Sequence, residues 1–174
     1  MILLLASAAL HFSTANPDVS ATPLKCAAVS GDYTMIPVQQ SGNQIHYFEE
    51  HGAITISGRL HLLSTENNRK WLPAGGAVFE LDDTHRIAGL QVYVEPGRPN
   101  YLKIGIRRPF SKQPTPIASA PRESWIDFTV KMTPDVSLEV WVNKDYRKVL
   151  AKGHRPAQAF GMCSSGSFEF SSKS

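Results

Sequence analysis

The sequence predicts an all-β chain folded as two antiparallel sheets, and three observations support that prediction. Apolar and polar residues alternate with a period of two in several runs, which is typical of strands with one buried and one solvated face. No segment after residue 15 places apolar residues every three or four positions for three turns, as an amphipathic helix requires. Proline, glycine, asparagine and aspartate cluster between the runs, where they favour turns. The 174 residues are the size of one globular domain.

The alternating runs cover residues 54–62, 90–95, 102–107, 125–132 and 138–143. Each run has one apolar face, and two packed sheets bury such faces between them. Trp125 and Trp141 lie on the opposite faces, where we expect them to pack across neighbouring strands. The side chains predicted for the core are Ile54, Ile56, Leu90, Val92, Ile104, Phe128, Val130, Val140 and Val142.

Breaks between the strands are expected where proline and glycine prevent ladder pairing, at residues 67–76, 96–99, 109–121 and 133–135. The segment 109–121 contains four prolines. We therefore predict that it forms a long exposed loop at one rim of the sandwich.

The first fifteen residues, MILLLASAALHFSTA, contain no charged side chain and end in small residues at Ser13 and Ala15. This composition predicts a signal peptide over residues 1–15, and therefore a secreted, extracellular protein. A buried helix or a membrane anchor is the alternative, but the apolar run is shorter than the ~20 residues that span a bilayer. We assign residues 16–32 to an N-terminal lead-in and residues 33–174 to the sandwich domain.

The charge balance argues against a nucleic-acid partner. The formal net charge is +3, and the one tight basic cluster combines Arg107, Arg108 and Lys112.

No segment after the signal peptide approaches the length that membrane insertion requires. Cysteine and histidine do not occur at the spacing of a zinc site, so neither a metal nor a cofactor is expected.

Cys26 and Cys163 are the two cysteines of the chain. An even count in an oxidising compartment predicts one disulfide between the two ends of the domain. The alternative is a pair of buried free thiols.

Residues 128–170 read as three strands joined by a particular set of turn residues. They resemble the closing strands of the galectin-type lectin domain in Asn143, His154–Arg155, Pro156 and Gly166, and residues 51–60 resemble its early strand in Gly52 and Gly58. The resemblance implies a jelly-roll sandwich of the galectin and concanavalin A type. Its terminal strands lie side by side, which agrees with the predicted disulfide. It also implies a lectin-like module whose partner is a glycan or a glycoprotein.

The galectin sugar-binding strand ends in His-x-Asn-Pro-Arg, whereas the corresponding strand here has Tyr93, Glu95 and a late Arg98. Arg98 reaches the face of Tyr93 only through a bulge at residues 96–97. The family's stacking tryptophan has no counterpart between residues 101 and 125, so ordinary β-galactoside binding is not expected. Trp71 is a further candidate for stacking. The predicted sugar site consists of Gln91, Tyr93, Glu95, Arg98, Lys103 and Arg107.

Two other functional classes are compatible with the fold. A structural or protein-interaction domain would keep the sandwich without the sugar site. A jelly-roll hydrolase would align carboxylates along one strand, but Glu80 and Asp82 are followed by His85 where the third acid belongs. A lyase would use Tyr93 as base beside Arg107. We expect a binding module without catalytic activity.

Overall fold

The computed structural model describes residues 24–27, 34–38, 45–65, 73–81, 86–111, 113–151 and 155–171, with side chains from residue 49 onward in the third of these ranges. These parts of the chain form strands and turns, and no helix. The strands are β1 Leu24–Cys26, β2 Thr34–Pro37, β3 Ile45–Glu50, β4 Ala53–Thr65, β5 Gly75–Leu81, β6 Ile87–Glu95, β7 Arg98–Arg107, β8 Thr115–Pro121, β9 Ile126–Met132, β10 Ser137–Val142, β11 Asp145–Leu150, β12 Pro156–Cys163 and β13 Gly166–Ser171.

The strands form two sheets in which every pairing is antiparallel. The seven-stranded sheet has the order β1-β13-β4-β9-β10-β11, with β3 also paired to β4. The six-stranded sheet has the order β2-β12-β5-β6-β7-β8. The predicted all-β, two-sheet antiparallel jelly-roll sandwich is therefore confirmed. Within the described ranges, no helix is long and apolar enough to cross a bilayer.

The core lies between the two sheets and follows the predicted strand faces. Every side chain predicted for it is fully buried except Ile54, which is partly buried and packs against the core from the start of β4. Phe79, Phe168 and Phe170 complete the centre. Burial of each large apolar side chain contributes roughly 1.5–3 kcal/mol, so the register of these strands is strongly specified.

The predicted disulfide is confirmed. Cys26 in β1 and Cys163 in β12 are bonded, with their Cα atoms 6.0 Å apart. Because β1 belongs to the seven-stranded sheet and β12 to the six-stranded sheet, the bond joins the two layers of the sandwich.

The expectation of a long loop at residues 109–121 is wrong for its second half. Thr115–Pro121 forms β8, the edge strand that pairs with β7. An edge strand tolerates proline because a ring nitrogen that faces away from the sheet removes no ladder hydrogen bond.

Two further sequence assignments are corrected. Residues 128–170 hold all of β10 to β12 and most of β9 and β13 rather than three strands. Asp145–Leu150 pairs with β10, and Pro156–Cys163 belongs to the other sheet. Leu24–Cys26, assigned to the lead-in, is an edge strand of the sandwich. The predicted signal peptide, Trp71, Asp82, His85 and His154 lie outside the described residues.

Candidate functional site

The outward-facing side chains of β6 and β7 lie on what we call the outer face of the six-stranded sheet. Leu90, Val92 and Ile104 point into the core, so the residues between them point outward. Tyr93 and Lys103 are direct partners in the antiparallel register, and Lys103 in turn pairs with Ser119 on β8. Direct partners on one face have Cβ atoms about 5 Å apart, so the side chains of Tyr93 and Lys103 start from neighbouring positions.

A groove with a volume of about 210 Å³ opens beside Tyr93 and Lys103. We call it the proline groove, because four of the seven described residues that line it are prolines. The four prolines come from different positions in the fold: one precedes β5, one is in the β6–β7 turn, one precedes β8 and one is within β8. The lining consists of Pro73, Tyr93, Pro96, Lys103, Gln113, Pro114 and Pro116.

The turn between β6 and β7 shapes one end of the groove. Pro96 and Gly97 occupy its central positions, and Gly97 has a φ of 78°, as the third residue of a type II turn requires. The register shifts between Val94 and Glu95, so that Arg98 lies opposite Glu95. Residues 96–97 form the turn rather than the expected bulge, and the irregularity beside it places Arg98 opposite Glu95.

Glu95 and Arg98 form an ion pair with 3.6 Å between Oε2 and Nη1. Ser119 Oγ donates a hydrogen bond of 3.4 Å to the same Glu95 oxygen, and the Arg98 guanidinium lies 3.9 Å from the centre of the Tyr101 ring. The Glu95 side chain is 19% exposed. The one acidic side chain of the predicted site is thus engaged by its neighbours.

Tyr93 is held as a neutral phenol. Burial, followed by the negative charge of Glu95, raises the pKa of the Tyr93 hydroxyl above its ordinary value. At neutral pH this hydroxyl donates and accepts hydrogen bonds, and it is a poor general base because its anion is disfavoured.

Gln91 lies on the same face, two residues before Tyr93, but only 3% of it is exposed. Its register partners are Gly76 on β5 and Gly105 on β7. A Cβ on Gly105 would come within 3.0 Å of Pro114 Cβ, so glycine at this position lets Pro114 close over the sheet. The Gln91 amide oxygen accepts no hydrogen bond from the described residues.

Arg107 lies four residues beyond Lys103 on β7, and is therefore about 13 Å away along the strand. Burial, followed by the positive charge of Arg86, lowers the pKa of Arg107. The Arg86 guanidinium lies 4.1 Å from the centre of the Phe110 ring. Arg86 and Arg107 are thus close to each other, and neither is among the residues that line the groove.

Of the two described tryptophans, Trp141 lies in β10 of the other sheet and Trp125 immediately precedes β9. Trp141 pairs with Tyr146 across β10 and β11, with ring centroids 4.9 Å apart, as expected of cross-strand packing. Trp125 lies 5.2 Å from the His61 ring and is contacted by the Arg59 guanidinium, also at 5.2 Å.

The sequence interpretation missed the groove walls contributed by Pro73, Pro96, Gln113, Pro114 and Pro116. One signal was available: Pro114 and Pro116 are two residues apart and therefore share a face of an extended segment. Reading residues 109–121 entirely as a loop hid that signal. Among the described residues, no three metal-binding side chains cluster in a way that could hold an ion.

Comparisons with known proteins give neighbours only in structure. No family model and no curated protein match the sequence. A carbohydrate-binding module, CBM66 from Bacillus subtilis, aligns with a TM-score of 0.41 and 10% identity, over 81% of this chain and 92% of the module.

Two other solved structures show similar levels of likeness. An alginate lyase from an Alteromonas species aligns at a TM-score of 0.40 and 13% identity, over 91% of this chain and 71% of the lyase. The exoplasmic/lumenal domain of VIP36, in a form bound to Ca²⁺ and mannose, aligns with a TM-score of 0.32 and 11% identity. The alignment covers 80% of this chain and 81% of that domain. At such values the ligand of this chain has to be argued from its own residues.

Proposed function

We propose that this chain is a secreted carbohydrate-binding, lectin-like module with a diverged galectin-type site, and that the proline groove holds the sugar. The observation that carries the proposal is the pairing of Tyr93 with Lys103 inside a groove walled by proline rings. A sugar ring presents apolar C–H patches beside hydroxyl groups. A partly apolar cleft with a few placed polar groups is suited to such a ligand.

The diverged character follows from the residues at the galectin positions. Tyr93 and Glu95 stand where the family has histidine and asparagine, and Glu95 is already bound by Arg98 and Ser119. We therefore expect lactose to bind poorly. Another glycan should bind with a Kd of about 0.1–1 mM, the range of an exposed site of this size.

We also propose that the module has no catalytic activity. A lyase needs a base that loses its proton readily, whereas the surroundings of Tyr93 favour its neutral form. Of the carboxylates considered for hydrolysis, Glu80 lies near the far end of β5, opposite Ile87. Ile87 precedes Tyr93 by six residues, which places Glu80 about 20 Å from the groove.

A glycan array probed with the purified protein tests the binding function, and titration calorimetry with the best-bound glycan tests the site. Tyr93→Ala should remove binding, because loss of the ring and its hydroxyl costs about 1–3 kcal/mol in an already weak complex. Tyr93→Phe should retain the part of the affinity that comes from stacking.

Tyr146→Ala is the matched control, since Tyr146 is an exposed tyrosine on the other sheet. Unchanged glycan binding by Tyr93→Ala would place the sugar outside the proline groove.

A protein-interaction domain is the second candidate, favoured by the predominance of proline rings in the groove wall. Such a wall offers apolar contact and few hydrogen bonds, which suits a peptide segment as well as a sugar. Failure of the protein to bind any glycan on the array would favour this candidate.

A further inference from the structure

Lys103 is a cationic side chain among the described residues that line the proline groove. Within the described ranges, its ammonium group forms no ion pair, although it lines the groove beside Tyr93. A lysine ammonium has three donors and no acceptor. The described residues therefore leave this cationic donor without an ion-pair partner at the groove.

Glu95, the carboxylate of the predicted site, is already engaged by residues other than Lys103. Glu95 is two residues from Tyr93 on β6, but its carboxylate already pairs with Arg98 and accepts a hydrogen bond from Ser119. Ser119 is itself the register partner of Lys103 on β8. The Glu95 carboxylate is thus engaged by Arg98 and Ser119 and not by Lys103.

Two further cations, Arg86 and Arg107, lie beyond the groove. Arg107 follows Lys103 by four residues on β7, and Arg86 is close enough to Arg107 to affect it electrostatically. Glu80, the other described carboxylate on this face, lies opposite Ile87 and away from Lys103.

We infer that the glycan bound in the proline groove carries a negatively charged group, a carboxylate or a sulfate, which contacts Lys103. This inference rests on the proposed carbohydrate-binding function and specifies its ligand class. Lys103 donates to the anionic oxygen atoms, and the Tyr93 hydroxyl reaches a neighbouring sugar hydroxyl. The proline rings cover the apolar side of the ring.

Matched pairs of glycans separate the charge from the sugar skeleton. One pair is a uronic-acid oligosaccharide and the same oligosaccharide after reduction of its carboxyl groups to alcohols. The other is a sulfated oligosaccharide and its desulfated form. We expect the acidic member of one pair to bind at least about fivefold more tightly at low salt, with the advantage shrinking as salt is raised. The pair that shows the effect identifies the anionic group.

Variants at position 103 locate the contact. Lys103→Gln should reduce the affinity for the acidic glycan to that for its neutral counterpart, and Lys103→Arg should restore most of the preference. Lys131→Gln is the control, because Lys131 lies on β9 in the other sheet. Circular dichroism and thermal unfolding of each variant check that the fold is intact.

Three results would overturn the inference. Equal binding of the acidic and neutral members of both pairs would refute the ligand class while leaving the carbohydrate function in place. A preference that survives Lys103→Gln would refute the site. Binding of neither member of any pair, together with a negative array, would refute the proposed function and this inference with it.

Discussion

The amide oxygen of Gln91 is a buried hydrogen-bond acceptor that no described residue satisfies. Its side chain is 3% exposed, and its amide oxygen has no donor. A buried polar group without a partner costs roughly 1–3 kcal/mol. Such a cost is common beside binding sites, where a ligand or its water supplies the missing partner.

We predict that Gln91→Met raises the free energy of unfolding by about 1 kcal/mol, because methionine has a similar shape and no polar group to desolvate. Chemical denaturation at neutral pH measures this change. Gln158→Met is the control, since Gln158 is exposed on β12 and should alter stability little. A clear loss of stability in Gln91→Met would mean that the amide makes a favourable interaction in solution.

At the scale of strands, alternation predicted those with one buried face. β6, β7, β9 and β10 have apolar residues on the expected side, and Tyr93 and Lys103 therefore share the outer face as strand parity indicated. β11 could not be recognised in this way, because five of its six residues are exposed and no apolar period develops. β8 was hidden by its prolines, whose meaning depends on whether the strand lies at an edge.

The proline groove could not be predicted from the sequence, because its walls meet only through tertiary contacts. Pro73 and Pro114 approach Tyr93 only because strands far apart in the chain pair in one sheet. Gly105 then permits the approach of Pro114, a role that depends on tertiary contact rather than on a turn.

The connection between β9 and β10 gives a prediction about pH. Asp135 accepts hydrogen bonds from the hydroxyl groups of Thr133 and Ser137, and these bonds lower the pKa of its carboxyl group. A carboxyl group whose pKa is lowered on folding stabilises the folded state at pH values above its pKa in the unfolded chain, which is about 4. That contribution disappears as the pH falls through the lower pKa of the folded protein.

Asp135→Asn should therefore lower stability at pH 7, and the difference from the parent protein should close in strong acid. Denaturation curves across the acid range measure this gap. Asp145→Asn, at an exposed position in the next hairpin, serves as the comparison. A gap that is the same at all pH values would show that the turn depends on the shape of Asp135 and not on its charge.

For the whole molecule, the Cys26–Cys163 bond is the strongest single constraint on unfolding. It closes a segment with a sequence separation of 137 residues. In the chain-entropy model a loop of this size contributes about 5 kcal/mol, and real values are often smaller. We predict that the double variant Cys26→Ser with Cys163→Ser unfolds at a clearly lower temperature than the parent under non-reducing conditions.

The parent protein in reductant should approach the unfolding temperature of the double variant once the bond is opened. Scanning calorimetry of both samples makes this comparison. Equal unfolding temperatures for the parent and the double variant without reductant would show that the two sheets are held together by packing alone.

The same bond decides how the molecule responds to mechanical load. Strands β2 to β11 all lie between the two cysteines, so this part of the chain is a closed covalent ring. Tension applied to the flanking segments passes through the sulfur atoms and leaves the ladders between those strands unloaded. Pulling can extend the residues before Cys26 and peel β13 away from β4, while the ring behaves as a short link of nearly fixed length.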